Sequence, residues 1–442
     1  MVSLIRLGGT MNDATIPGPP ASGTPTPPAP AVPPHADEPR PAAEQHFAFT
    51  GRLGPLFRIV LKNALLTLVT LGIYRFWAKT ELRRYFWGHT VIDGEPLEYT
   101  GRGLELFLGF LVVVAILGPA TLAYDWALTA VGMETATGVA LQLAYIFGIL
   151  CLIHVAVYRM WRYRLTRTTW RGIRFGLDGA AWRYMLRALG WTFLSVLTLG
   201  IAVPWMDRAL WAYRIDNTRF GTAPFRLDRS ANALRLLPAW LLTLAAPAAI
   251  IVFATAASVQ AAANAASPEQ VKTLLITTLA TYGGWLVVGF LVWLGCVTWY
   301  QVVRFRLFAG GVRFGDAAGL HSRAHTLVVL GLVTLYWFLL AMAFALFGYL
   351  TVTLLEPFFG AGGQQVEFAD AAGIVFFLLV MFMVVIVLPI INVMALQYGL
   401  ISHFVRTLSV TNPEALRAAV QATDPGPARG EGLADALDVG AF

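Results

Sequence analysis

The chain is short of charge. Only 13% of its 442 residues are Asp, Glu, Lys or Arg, against about 25% in soluble proteins. That excludes an ordinary soluble globular domain. Cysteine is scarce too: Cys151 and Cys296 stand alone, both inside apolar segments. This excludes a disulfide-stapled secreted scaffold, and each thiol reads as a packing residue. Lysine is nearly missing, with Lys62, Lys79 and Lys272 against 29 arginines. No CxxC, HExxH, GxSxG, GxxxxGK[ST] or GxGxxG occurs, so the common metal, nucleophile and nucleotide signatures are lacking. The sequence therefore names no cofactor, no metal and no catalytic residue.

What is present is apolar. Hydrophobic residues make up 57% of the chain. Six runs long enough for a bilayer core lie near 105–124, 138–158, 236–258, 273–299, 327–352 and 372–400. The expectation is an all-α polytopic membrane protein with about six spanning helices. Residues 1–45 differ: eleven of the 24 prolines fall between Pro17 and Pro41. Such a stretch buries too little to offset its ordering entropy and reads as a flexible tail. The first residues lack a continuous apolar core, so no cleaved signal is expected, and translation can start at Met1 or Met11.

Charge sorts around the six runs. The connections 124–137, 259–272 and 353–371 hold one cation, Lys272, and six acids. The other connections are crowded with arginine. The positive-inside rule puts the second set, and both termini, in the cytoplasm.

Two apolar octets fit this scheme only if they do not cross. "TLGIYRFW" (70–77) and "TLGIAVPW" (198–205) have arginines on both sides. Were both to span, the arginine-rich loop 159–187 would face outward. Each octet is thus expected in a re-entrant or interface-lying helical hairpin, broken at Gly72 or Gly200 because glycine accepts unusual backbone angles. Trp77 and Trp205 would anchor the returning arms.

The octets belong to a longer repeat. Residues 46–97 align without a gap on 174–225, with 13 identities in 52 positions that include Tyr85/Tyr213. Each copy reads as a short strand, a hairpin, a basic aromatic helix and small cytoplasmic β elements, then two spanning helices. In the first copy Asp93-Gly94 signals a β-turn. The expected division is a tail (1–45), a first module (46–160), a second (161–303), a degenerate third beginning near "VRFGDAAG" (304–408) and a C-terminal tail (409–442). A second echo matches Tyr158-x3-Arg162-Tyr163-Arg164 to Tyr300-x3-Arg304-Phe305-Arg306.

The series Asn63…Thr70-Leu71-Gly72-Ile73-Tyr74…Trp77-Ala78-Lys79, followed by Arg84-Tyr85 and His89-Thr90, resembles the YjgN-like family, bacterial inner-membrane proteins classed as a domain of unknown function. The likeness runs to about Leu408. It implies an inner-membrane location and no particular activity.

Three functions remain open. In a non-enzymatic membrane protein, Arg83, Arg84, Arg162, Arg164, Arg304 and Arg306 would contact lipid phosphates, with anionic headgroups or an unidentified protein as partner and no nucleic acid. In a small-molecule transporter or channel, Asn392 and His154 would line a polar pathway, with Gln142, Gln397 and Asn63 as further candidates. The weakest case is an enzyme on lipid phosphates using His89, Asp93 and Glu95. The second copy replaces His89 by Asn217 and Asp93 by Gly221.

Overall fold

The computed structural model describes residues 44–264, 267–315, 318–360 and 365–422. The expected tail residues 1–43 and 423–442 lie outside them. Six helices among the described residues are long and apolar enough to cross a membrane, within Gly103–Val131, Ala136–Thr166, Ala233–Asn264, Ala280–Gly311, Thr326–Leu355 and Gly373–Arg406. They coincide with the six apolar runs.

One rule generates the order of elements: strand, helical hairpin, strand. β1 (Glu44–His46) and β2 (Ala48–Phe49) lead into α1 (Leu53–Val69) and α2 (Arg75–Gly88), which return to β3 (Thr90–Ile92). Then β4 (Glu95–Tyr99) leads into α3 (Gly103–Val131) and α4 (Ala136–Thr166), returning to β5 (Thr168–Trp170). β6 (Ile173–Leu177), α5 (Ala181–Leu197), α6 (Val203–Asp216) and β7 (Thr218–Phe220) form the third unit. β8 (Ala223–Leu227), α7 (Leu237–Asn264), α8 (Pro268–Gly311) and β9 (Val312–Phe314) form the fourth. The fifth runs from β10 (Ala318–Ser322) through α9 (Thr326–Gly360), α10 (Gln365–Phe382), α11 (Leu388–Ile391) and α12 (Tyr398–Arg406) to β11 (Leu408–Thr411). A last short helix, α13 (Glu414–Arg417), follows.

The expectation of small separate β elements is corrected. All eleven strands join one antiparallel sheet in the order β1-β11-β10-β9-β8-β7-β6-β5-β4-β3-β2. β1 and β2 are two halves of one strand: the first pairs with β11 and the second with β3, so the sheet closes on itself, nearly a barrel. Each strand has only two to five residues, and within a unit the strand before a helical hairpin pairs with the strand after it, as in Phe175↔Phe220 and Phe225↔Phe314. Local sequence shows the turns and hides those distant pairings. The Asp93-Gly94 turn is as expected, with φ of 53° and 79° at its two residues, and Arg171-Gly172 repeats it at 53° and 74°.

Trp170, Phe220, Phe314, Ala318 and Val410 fill the ring. Ala415, Leu416 and Ala419 pack on that core from the C-terminal segment. Thr222 N donates to Val420 O, and Arg174 N to Gln421 Oε1, so the segment lies across the turn side of the ring. Residues 409–411, expected in a C-terminal tail, are strand, as are residues 44 and 45 of the expected N-terminal tail. The expected boundary at 304 falls inside α8. "VRFGD" is likewise no opening strand: β9 returns from a helix pair, as β7 does, and β10 leads into the next.

Two of the five hairpins are short. α1 and α5 have 17 residues each, about 25 Å at 1.5 Å per residue. α3 has 29. α1 packs by Leu56 and Val60 against Ile390, Val393 and Met394 of the last helix. That last helix is not regular: Met383–Val387 and Asn392–Gln397 are π-helical, flanking Pro389.

Candidate functional site: the clasped ring and the cleft at its rim

The two short hairpins turn by the same hydrogen bonds. Leu71 and Gly72 have φ of 50° and 91°, and Leu199 and Gly200 have 50° and 88°. Gly72 N donates to Thr67 O, and Gly200 N to Ser195 O, both at 2.7 Å. Thr70 Oγ1 accepts from Tyr74 N at 2.9 Å, and Thr198 Oγ1 from Ala202 N at 3.1 Å. The octet is thus the signature of a helix stop and restart.

The shared tyrosines close the bases of these hairpins. Tyr85 Oη donates to Arg52 O at 2.6 Å and accepts from Arg52 N at 2.7 Å. Tyr213 Oη does the same with Ala180 O at 3.0 Å and Ala180 N at 3.2 Å. Trp77 packs beside Phe76, Leu106 and Tyr163, and Trp205 is half-buried. Trp77 lies so close to α3 that a Cβ on Gly103 would sit 2.8 Å from its backbone.

The arginines form a pattern of their own. From the returning helix of every hairpin one guanidinium reaches a carbonyl just before the next hairpin. Arg84 donates to Gly101 O at 2.8 Å, and Arg162 Nε to Leu177 O at 2.8 Å with Nη2 on Gly179 O. Arg208 donates to Ala231 O at 2.7 Å, Arg306 to Ala324 O at 2.5 Å, and Arg406, round the closure, to Phe49 O at 3.3 Å. These are five clasps round one ring. Arg84, Arg162 and Arg306 each lie six residues before the next strand. The sequence echo paired Arg162 with Arg304, but Arg306 has Arg162's role. Arg304 instead joins Tyr300 on Asp207, at 2.8 and 2.7 Å. Arg83 is buried and donates to Tyr99 Oη at 3.1 Å. Arg164 is half-buried. Most of the arginines proposed for lipid are therefore bonded to the protein itself. Arg208 and Arg406 were missed, since nothing in their local sequence distinguishes them among 29 arginines.

The polar candidates do not converge. His154 is half-buried in α4, with Nε2 lacking a partner. Asn392 opens the second π-helical stretch. Asn63 on α1 is 3% exposed, and neither side-chain atom has a hydrogen-bond partner. Of the enzyme candidates, His89 Nδ1 meets Tyr85 O at 2.7 Å, while Asp93 is held by Arg417 and Gln45. Among the described residues no group of three or more His, Cys, Asp or Glu is placed to hold a metal ion.

One cleft opens at the rim. It measures about 430 Å³ and lies between the first short hairpin and the start of α3. Lys62, Glu81, Arg84 and Arg102 supply its charge, and Tyr74 and Trp77, stacked with centroids 6.1 Å apart, its aromatic wall.

Comparison with known proteins gives a family and two relatives. A family described as "Bacterial protein of unknown function (DUF898)" matches residues 44–436. The chain is 30% identical over 141 residues to inner membrane protein YjgN of Salmonella typhimurium, covering 31% of this chain and 33% of that protein. It is 32% identical over 136 residues to the protein of that name from Escherichia coli O157:H7, covering 30% and 31%. The matched segments thus span about a third of these relatives. No solved structure matches. With the family's pattern running from the first strand of the ring past the last, the chain belongs to the bacterial DUF898 family of unknown function.

Proposed function

We propose that this is a non-enzymatic protein of the bacterial inner membrane, with the β ring and both termini in the cytoplasm. Three hairpins cross the bilayer and the two short ones enter it and return. The observation that carries the re-entrant reading is a pair of leucines. Leu71 and Leu199 are 89% and 88% exposed at the hairpin tips, in a left-handed conformation that costs an L-residue roughly 1–2 kcal/mol. A large apolar side chain at a strained, uncovered position suits a tip that sits in lipid. The matching bonds of the two short hairpins support a duplicated module. The ring, held by its arginine clasps, acts as a cytoplasmic plate facing anionic headgroups.

Single cysteines test the topology in a background without Cys151 and Cys296. An impermeant thiol reagent should label Ala136→Cys only from the periplasm and Thr222→Cys only from the cytoplasm. Leu71→Cys should react from neither side. Its labelling from the periplasm would make the first hairpin a spanning pair.

A second reading, transport, rests on Asn63. A buried amide without partners, on a helix packed against two π-helical stretches, is a common feature of polar pathways in membranes.

A further inference from the structure

We propose that the cleft beside the first hairpin is a specific binding site for a phosphate-bearing anion, and that Arg102 is its main ligand. The inference rests on the headgroup reading above and goes further by naming one site.

The charge balance favours an anion. Lys62, Arg84 and Arg102 contribute three positive charges and Glu81 one negative, so the cleft carries a net +2. Glu81 pairs with Lys62, which leaves the two guanidiniums facing the space. Arg84 uses one N–H of Nη2 on Gly101 O and keeps its other donors. Arg102 is exposed and its guanidinium meets no partner among the described residues. Arg84, Arg162, Arg208, Arg306 and Arg406 each donate to a protein carbonyl, and Arg102 does not. Two planar forks on one cavity match the oxygens of a phosphate.

The backbone adds to this. Arg102 is the N-cap of the 29-residue α3 and makes no side-chain cap, so the first amides of that helix lack one. The acid of that first turn, Glu105, is turned away: it accepts from Tyr163 Oη at 3.0 Å and Arg167 Nη2 at 2.8 Å. Tyr74 and Trp77 give the cleft an amphipathic wall of the kind found at headgroup level.

The second short hairpin lacks the site. At the repeat offset, Lys62 becomes Gly190, Glu81 becomes Ala209, Arg84 becomes Ala212 and Arg102 becomes Ser230. Arg208, in the place of Thr80, reaches Ala231 O across the corresponding position. The cleft is therefore a feature of one unit and no by-product of the repeated architecture. A volume of about 430 Å³ admits a glycerophosphate group.

The test titrates delipidated full-length protein with phosphatidylglycerol, phosphatidylcholine or glycerol 3-phosphate, read by native mass spectrometry. Wild type should retain one phosphatidylglycerol tightly. Arg102→Ala should weaken that binding about tenfold, the loss of one charge-assisted contact, with an unchanged thermal midpoint because the Arg102 side chain makes no internal bond and its carbonyl, which accepts from Glu105 N, is kept. Arg235→Ala, which removes an exposed arginine elsewhere, should bind as wild type. Glycerol 3-phosphate binding that is equally sensitive to Arg102→Ala, without lipid retention, would support the phosphate site and identify a soluble ligand. Equal binding of every ligand by wild type and Arg102→Ala overturns the site. If a preference for phosphatidylglycerol over phosphatidylcholine persists in that case, the general headgroup reading survives; if wild type shows none, both fall.

Discussion

Asp93 and Arg417 lie 324 residues apart and meet in a two-pronged ion pair, Nε to Oδ2 and Nη2 to Oδ1, both at 2.5 Å. The pair fastens the C-terminal segment to the first β-turn of the ring. The Arg417 fork, with Gln45 donating a further bond, holds the Asp93 carboxyl at about 2, below its ordinary 3.8. A depressed carboxyl stabilises the fold above its unfolded value and loses that contribution as pH falls toward its folded value. The attachment should therefore loosen between about pH 4 and pH 2. Hydrogen exchange in 412–422 should rise over that window, and Asp93→Asn should exchange faster at neutral pH. An Asp93→Asn segment protected as in wild type would contradict this role.

Gly72 and Gly200 have open space or only ordinary contacts around the missing Cβ, so the cost of substitution there is conformational. Gly72→Val and Gly200→Val should each destabilise by about 1–3 kcal/mol. Leu71→Gly should relieve strain and raise the thermal midpoint in detergent. A fall on Leu71→Gly, measured by a thermal shift assay, would show that the leucine packs on protein.

Arg162 spans two carbonyls, Leu177 O and Gly179 O. Arg162→Ala should cost about 1–3 kcal/mol by leaving them unpaired. Arg162→Lys should rescue little, because an ammonium has no planar fork. Urea midpoints of the two variants, expected to be alike, decide the point.

Gly103→Ala would place a methyl 2.8 Å from the Trp77 backbone. Overpacking of that kind costs about 1–3 kcal/mol. It should also push α2 from α3, read as a change in Trp77 fluorescence in a variant with its other tryptophans replaced. An unaltered spectrum and midpoint would show that the contact can relax.

Asn63 gives the opposite sign. Its amide is buried without partners, and such burial costs about 1–3 kcal/mol. Asn63→Leu should raise the melting temperature. Destabilisation would show that the amide has a bound partner, as the transport reading requires.

The sequence was legible wherever one element carried its own signal. The six apolar runs, the Leu-Gly stop at 71–72 and 199–200, and the Asp93-Gly94 turn depend on residues within a few positions of each other. The ring was not legible. Glu44 pairs with Thr411 and Phe225 with Phe314, and no three-residue strand declares so remote a partner. The rim was half-legible: arginine and tyrosine density marked it, but Arg162 and Arg306 act on carbonyls that any residue could supply. That is also why Arg208 and Arg406 escaped notice, and why Arg102, a plain loop arginine by sequence, became an exposed member of a cleft.

The closure of the ring sets a schedule for making the protein. Glu44–His46 and Leu408–Thr411 are neighbours in the sheet. A ribosome adding about 5–20 residues per second needs roughly 20–70 s to travel from one to the other. Throughout that time each hairpin can enter the membrane in turn, yet the first strand has an unsatisfied edge waiting for the last. A nascent chain stopped early would leave an open ribbon with exposed amides, the kind of surface that recruits other strands or proteases. Completion is thus a single late event, and a closed ring marks a chain that has been translated past Thr411.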